Sequence, residues 1–205
     1  YVSWFDAARF ANWMSNGQGA GSTETGAYAL NGIGASGVPT NLVTPNVNAG
    51  FYLPTIDEWY KSSYYSPVLN GGSGGYYAYS TQSNTAPGNI VGGLANQANY
   101  YTGLGYAVTQ SAVADVNQSY LTDVGAFSGS ASYYGTFDQT GNVLQWLSDP
   151  FWNDSRYAYV AGSPWTKGFH DQGWTYSSTD AIPYGHPAEL PSNSLGFRLA
   201  SRYYS

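Results

Sequence analysis

The sequence predicts an α+β fold: two short helices, short strands and a large share of irregular loop. Three observations predict it. Two segments carry helix-start signals followed by apolar residues at helical spacing. The rest is a series of short aromatic runs broken by Gly, Asn and Pro, without long helical periodicity. Aromatic residues make up 18% of the chain and charged residues 9%. Disorder combines high charge with few aromatics, so this chain instead has the apolar area to bury a core.

The first helix is predicted over Trp4 to Ser15. Ser3 and Asp6 stand at capping-box spacing. Trp4, Ala7, Ala8, Ala11 and Met14 then share one face. A glycine-rich interval, 17–37, reads as loop. The second helix starts at Pro54-Thr55, with Thr55 as N-cap and Glu58 three residues on, and ends near Tyr65-Ser66-Pro67. A second glycine-rich interval, 70–75, reads as a loop or hairpin connection. With 205 residues, one domain over 1–205 is the simplest organisation.

Composition excludes several function classes. A net charge of −6 with 6 basic residues argues against nucleic acid, which needs clustered Lys and Arg against phosphates. No run of about 18 apolar residues is present, so no membrane-spanning helix is expected. The chain has no cysteine, which rules out a disulfide-stapled scaffold. The low-charge surface rich in Tyr, Ser, Asn and Gly associates the chain with an extracellular or cell-surface setting.

Six motifs run from residue 2 to residue 200. They are Val2-Ser3-Trp4-Phe5-Asp6-Ala7, Leu53-Pro54-Thr55-Ile56-Asp57-Glu58-Trp59, Val124-Gly125-Ala126-Phe127, Gly135-Thr136-Phe137-Asp138-Gln139-Thr140-Gly141-Asn142-Val143-Leu144-Gln145-Trp146, Ala161-Gly162-Ser163-Pro164-Trp165 and Gly196-Phe197-Arg198-Leu199-Ala200. In content and order they resemble the formylglycine-generating enzyme (sulfatase-modifying factor) family, whose signature reads G-x-(Y/F)-(D/N)-x-x-G-N-V-(W/Y)-E-W. Wording such as Phe10-Ala11-Asn12-Trp13 and Tyr79-Ser80-Thr81-Gln82 resembles the secreted bacterial, PEP-CTERM-type members. The resemblance implies a variant of the C-type lectin fold, with two helices and a small twisted antiparallel sheet. The family domain carries strand and helix segments ahead of V-S-W, which this chain lacks. The opening at Tyr1-Val2-Ser3-Trp4, inside a motif, is first read as an incomplete sequence; if the deficit is real, a sheet edge lies open there, filled by a neighbouring copy when the subunits assemble head to tail.

Catalysts of this family work with cysteine thiols that bind copper. Here the corresponding interval, Pro164 to Asp171, has none, so no copper site and no enzyme activity are expected. The resemblance further implies calcium as a structural ion. One site falls on Asp138, the carbonyls of Gly141 and Val143, and Gln145; Gln in place of the family's Glu removes a negative charge and weakens it. A second falls on Asn99, the carbonyl of Tyr100, Asp115 and the carbonyl of Asn117. The plainer alternative is that these side chains cap turns.

His170 and His186 with Asp171 and Glu189 are the remaining metal-type residues, at a spacing that matches no helical face. Asp149 with Asp154 and Asp171 with Asp180 are carboxylate pairs on paper. Lone histidines and turn-forming loop acids are the commoner outcome for both.

Binding has the most support. The interval 151–184 mixes Trp and Tyr with Asn, Asp and Ser, the combination by which antibody loops gain contact area at low entropic cost. Trp152, Tyr157, Tyr159, Trp174 and Tyr176 are the expected ligand contacts. Packing of rings on one another is the competing use, expected for Trp146, Trp165 and Phe197. The partner is a glycan or protein ligand; the alternative is copies of the chain itself in a surface layer or fibre.

Overall fold

A computed structural model describes residues 1–33, 41–166 and 184–202. The helices are α1 (Trp4–Ser15) and α2 (Ile56–Tyr64). The strands are β1 (Phe51–Tyr52), β2 (Tyr65–Ser66), β3 (Gly75–Tyr76), β4 (Leu144–Phe151), β5 (Asp154–Ala161), β6 (Tyr184–Pro187), β7 (Leu195–Gly196) and β8 (Ala200–Ser201). The other described residues are turn, isolated bridge and loop, the α+β class the sequence predicts. Residues 69–72 form one turn with Asn70 and Gly71 left-handed, not a third helix of regular geometry. Among the described residues no helix is long and apolar enough to cross a membrane.

The chain divides into two compact units. The first comprises Tyr1–Glu58, Gln145–Val160 and Tyr184–Ser205; the second comprises Trp59–Leu144 and Ala161–Pro183.

The first unit is built on α1, a four-stranded sheet in the order β6-β5-β4-β7 and a separate short antiparallel pair β1–β8 in the register Phe51↔Ser201. The predicted capping box is formed: Asp6 N–H donates to Ser3 Oγ at 3.1 Å and Ser3 N–H to Asp6 Oδ2 at 2.9 Å. Trp4, Ala7, Ala8 and Ala11 are buried as expected, while Met14 is half-buried and Asn12 takes a place in the core. Asn12 donates to the carbonyls of Thr23 and Tyr28 and accepts from Tyr28 N–H at 2.6 Å. Arg9 pairs with Glu24 at 2.6 Å and donates to the Ile33 carbonyl. Polar groups of α1 therefore fix the glycine-rich segment that follows it, satisfying backbone that no strand pairs.

Two tryptophans fasten the start of the chain and β4. Trp4 Nε1 donates to the Leu147 carbonyl and Trp146 Nε1 to the Val2 carbonyl, both at 2.9 Å. Both rings are fully buried. Trp4 packs edge-on against Phe5 and Tyr28.

The start of α2 repeats the capping-box pattern with Thr55 and Glu58. Asp149 of β4 adds an acceptor for Ile56 N–H at 2.7 Å. Burial, then the neighbouring Asp57 and Glu58, raise the Asp149 carboxyl above its ordinary value. A carboxyl raised on folding stabilises the fold below its unfolded pKa, and that contribution is lost as pH climbs through the folded one. Asp149→Asn keeps an acceptor for Ile56 without the charge. We expect the variant to be at least as stable as the parent at neutral pH and to lose that advantage in acid, read by thermal unfolding at both.

The second unit holds its loops by side-chain amides and hydroxyls rather than long strands. Besides the β2–β3 pair, it contains parallel bridges at Gly88↔Gln97 and Asn99↔Gly141. Gln139, 1% exposed, donates to Ser62 Oγ and the Trp59 carbonyl. Ser80 and Thr140 hydroxyls meet at 2.7 Å. Aromatic packing adds Tyr120 stacked on Trp165 at 4.8 Å and 12°.

Candidate functional site

β4 and β5 are joined by only two residues, Trp152 and Asn153. A connection that short requires an antiparallel hairpin. Both residues are left-handed, with φ of 49° and 64°, the pattern of a type I′ turn that matches strand twist and favours Asn and Gly. Asn153 suits it. Trp152 does not, since a bulky side chain at positive φ is an outlier that costs of order 1–3 kcal/mol. The same indole is 80% exposed.

Neighbouring rings form a platform below the turn. Phe151 stacks on Trp152 at 5.7 Å and 25°, and meets Tyr159 edge-on at 5.1 Å. The Phe151 ring lies against Gly185 of β6, where any Cβ would collide with it; Gly185 is the partner of Tyr159 across β5–β6. On β5, Ala158 and Val160 are buried. Tyr157 and Tyr159 alternate with them and share the opposite face. Tyr157 is exposed and Tyr159 half-buried.

Asp154 and Arg156, at alternate positions of β5, are paired through two contacts at 3.0 and 2.7 Å. Hydrogen bonding from Arg156 pulls the Asp154 carboxyl down to about 2. Of the five expected ligand contacts, the structure thus places Trp152, Tyr157 and Tyr159 on one hairpin. Trp174 and Tyr176 lie outside the described residues.

The calcium-type residues have protein partners. Asp138, left-handed at φ 58°, accepts Gly125 N–H at 2.8 Å. Gly141 N–H donates to Ser163 Oγ at 2.8 Å, and the Asn142 carbonyl accepts Trp165 N–H at 2.9 Å, so two of the sequence motifs are bonded to each other. Gln145, two residues beyond Val143, is buried. Its amide oxygen accepts from the Arg198 guanidinium at 2.5 Å, a cation where a calcium ligand would need to face the ion.

In the second set, Asn99 donates to the Tyr120 carbonyl and to Asn142 Oδ1, and its own carbonyl accepts Asn142 N–H. The Tyr100 carbonyl accepts from Asn89, and Asp115 closes an Asx turn onto Asn117 N–H at 2.8 Å.

Gly141 explains itself physically. Its φ is 89°, and a Cβ there would overlap the Asn99 carbonyl. Gly141→Ala is expected to destabilise by at least ~2 kcal/mol, read as a lower denaturant midpoint.

The other chemistry-bearing residues are not assembled into a reactive centre among the described residues. Asp149 caps α2 and Asp154 holds Arg156. His186 packs edge-on against Trp146, with Nδ1 3.1 Å from the Pro187 carbonyl. His170, Asp171 and Asp180 lie outside the described residues. Among those described, no group of three or more His, Asp and Glu is placed to hold a metal.

Sequence reading did not single out Phe151, whose ring carries the platform, nor the left-handed state of Trp152. A two-residue gap between two strand-like runs was the available signal.

Two capped helices, small antiparallel sheets and extensive irregular loops make this an α+β chain of the C-type-lectin-like class. The chain belongs to the sulfatase-modifying factor enzyme 1-like domain family, which it matches over residues 1–203. Among solved structures it is similar to CarF, with 18% identity and a TM-score of 0.53 over 97% of this chain. It spans 65% of the length of that CarF chain. It is also similar to variable protein 1 of Treponema denticola, with 19% identity and a TM-score of 0.52 over 98% of this chain and 70% of the other. At these identities the likeness shows the fold alone. No curated protein matches the chain.

Proposed function

We propose that this domain is a non-catalytic module of the cell surface or extracellular space that captures a glycan or protein ligand through its aromatic hairpin. One observation carries the reading: Trp152, held in a backbone state unfavourable for it, presents four-fifths of its surface to solvent. Strain of this kind persists where function uses it. Exposed Trp and Tyr anchors dominate binding energy at protein surfaces.

The absence of cysteine from the chain supports the non-catalytic part, since the family's copper-binding thiols have no counterpart here. The Tyr-, Ser- and Asn-rich composition shared with secreted bacterial members supports the location. Trp174 and Tyr176 join the proposal on sequence grounds. A glycan and protein array probed with the labelled domain tests it. Saturable capture that Tyr157→Ala weakens supports the reading, and an array with no retained ligand counts against it.

Calcium enters as a weak loop-holding ion at Asp138 with the carbonyls of Gly141 and Val143. A single formal charge among these ligands places the affinity in the ~10⁻⁴–10⁻³ M range of extracellular modules. At ten times Kd the expected stabilisation is about 1.4 kcal/mol. It is read as a higher melting temperature in calcium than in EDTA, and lost in Asp138→Asn.

A second reading, self-assembly, has its own observation. In the second unit Leu104, Val113, Val116 and Val124 are each more than three-quarters exposed, and such residues mark an interaction site where they join into one contiguous patch. Sedimentation at rising concentration separates the two: a monomer throughout favours ligand capture.

A further inference from the structure

The first unit contains a cavity that the hairpin does not use. It has a volume of about 470 Å³ and lies where the end of α1 meets the loop 46–50. Ser15, Asn16, Asn46 and Asn48 supply its polar side chains, and Gly26, Ala49 and Gly50 leave backbone bare in its wall. The volume falls within the ~300–1,000 Å³ of small-molecule sites.

The wall is built by specific bonds. Asn16, the C-cap of α1, donates to the carbonyls of Ser22 and Thr25 at 2.6 and 2.8 Å. Its amide presses on Gly26, where a Cβ would come within 2.9 Å of Asn16 Oδ1 and where φ is 134°. Glycine is therefore required at that point of the wall. Asn46 donates through its side chain to the Gly26 carbonyl, and its N–H to the Ala27 carbonyl at 2.7 Å. The Leu42 N–H bond to the Ser155 carbonyl secures the approach to the loop. Asn48 is exposed at the opening and takes no part in these wall bonds.

The lining has a definite chemistry. Among the described residues it contains no Lys, Arg, Asp or Glu, so neither an anion nor a cation finds a counter-charge in it. Arg202 is not part of the lining: its guanidinium lies over the Tyr52 ring at 4.7 Å and reaches the Asn46 carbonyl at 3.4 Å. What the cavity offers is the side-chain oxygens of Asn16 and Asn46 as acceptors and the Asn48 amide as donor and acceptor, together with backbone and the apolar edge of Val47 at the rim. A ligand that matches must be neutral, compact and furnished with hydroxyls that both donate and accept. We infer that this cavity is a binding site for one neutral sugar residue, separate from the aromatic hairpin.

Titration followed by backbone and side-chain amide NMR tests it, with the methyl glycosides of glucose, galactose and N-acetylglucosamine as probes and the methyl glycoside of glucuronic acid as the charged control. The expected result is saturable shifts at Asn16 and residues 46–50 with at least one neutral glycoside. Asn48→Ala should weaken that binding about 3- to 10-fold, the loss of a neutral hydrogen bond, with an unchanged melting temperature because Asn48 is exposed. Trp152→Ala should leave these shifts intact. Three outcomes would overturn the inference: no saturable shift at these amides with any neutral probe, stronger binding of the glucuronide, or shifts confined to the hairpin. The last would leave the hairpin reading standing while removing this one.

Discussion

Replacing Trp152 with glycine is expected to make the domain more stable and unable to hold its ligand. The stability gain follows from the backbone. Residue 152 sits at φ 49° in a two-residue turn, and glycine enters that region without the steric cost a Cβ carries. Against this stands the lost stack on Phe151, at 5.7 Å and largely in water. The net expectation is a gain of about 0.5–1 kcal/mol. An Asn-Gly turn, made by Trp152→Asn with Asn153→Gly, should gain at least as much because it is the favoured I′ sequence. Binding should fall by about 30-fold or more, the effect of truncating an aromatic anchor worth ~2 kcal/mol or more. Opposite signs in the two measurements are the mark of strain retained for function. A merely structural Trp152 would lose stability when truncated.

Trp4→Ala should have the largest effect on the fold. The ring is fully buried, bonds through Nε1 to the Leu147 carbonyl and meets Phe5 and Tyr28 at 5.2 and 5.3 Å. Its removal leaves a cavity and an unsatisfied carbonyl on β4, at a cost of about 3–5 kcal/mol. For a chain of this size that is a fall in melting temperature of about 10 °C or more. Calorimetry reads it directly. Trp4→Phe, which restores most of the volume but not the N–H, should recover part of the loss and so separate packing from the hydrogen bond.

Local patterns in the sequence made the helices legible. Ser3 with Asp6 and Thr55 with Glu58 are self-contained signals, because each partner lies within one turn of the other. The motif glycine Gly141 was also legible as a position, but its reason is a backbone 42 residues away at Asn99, which periodicity does not reveal. Long-range polar bonds were invisible for the same cause. Asn12 reads as a polar residue on a helix yet is buried, because the backbone of residues 23–28 needs its amide. Gln145 reads as a weakened calcium ligand, whereas the structure turns it to Arg198, 53 residues on.

In the hairpin, sequence composition identified Trp152, Tyr157 and Tyr159, and alternation along β5 puts the two tyrosines on one face. The two-residue turn that forces Trp152 outward depends on where β4 ends and β5 begins, and those boundaries are set by pairing rather than by residue type. The amide-lined cavity had no sequence signature, since Asn and Gly are common throughout the chain.

Hydrogen–deuterium exchange of the domain with and without a ligand retained on the array tests the central claim most directly. The account predicts that ligand slows exchange over residues 151–159, the hairpin turn and the face of β5 that carries Tyr157 and Tyr159. Protection elsewhere in the chain with none over 151–159 would contradict it.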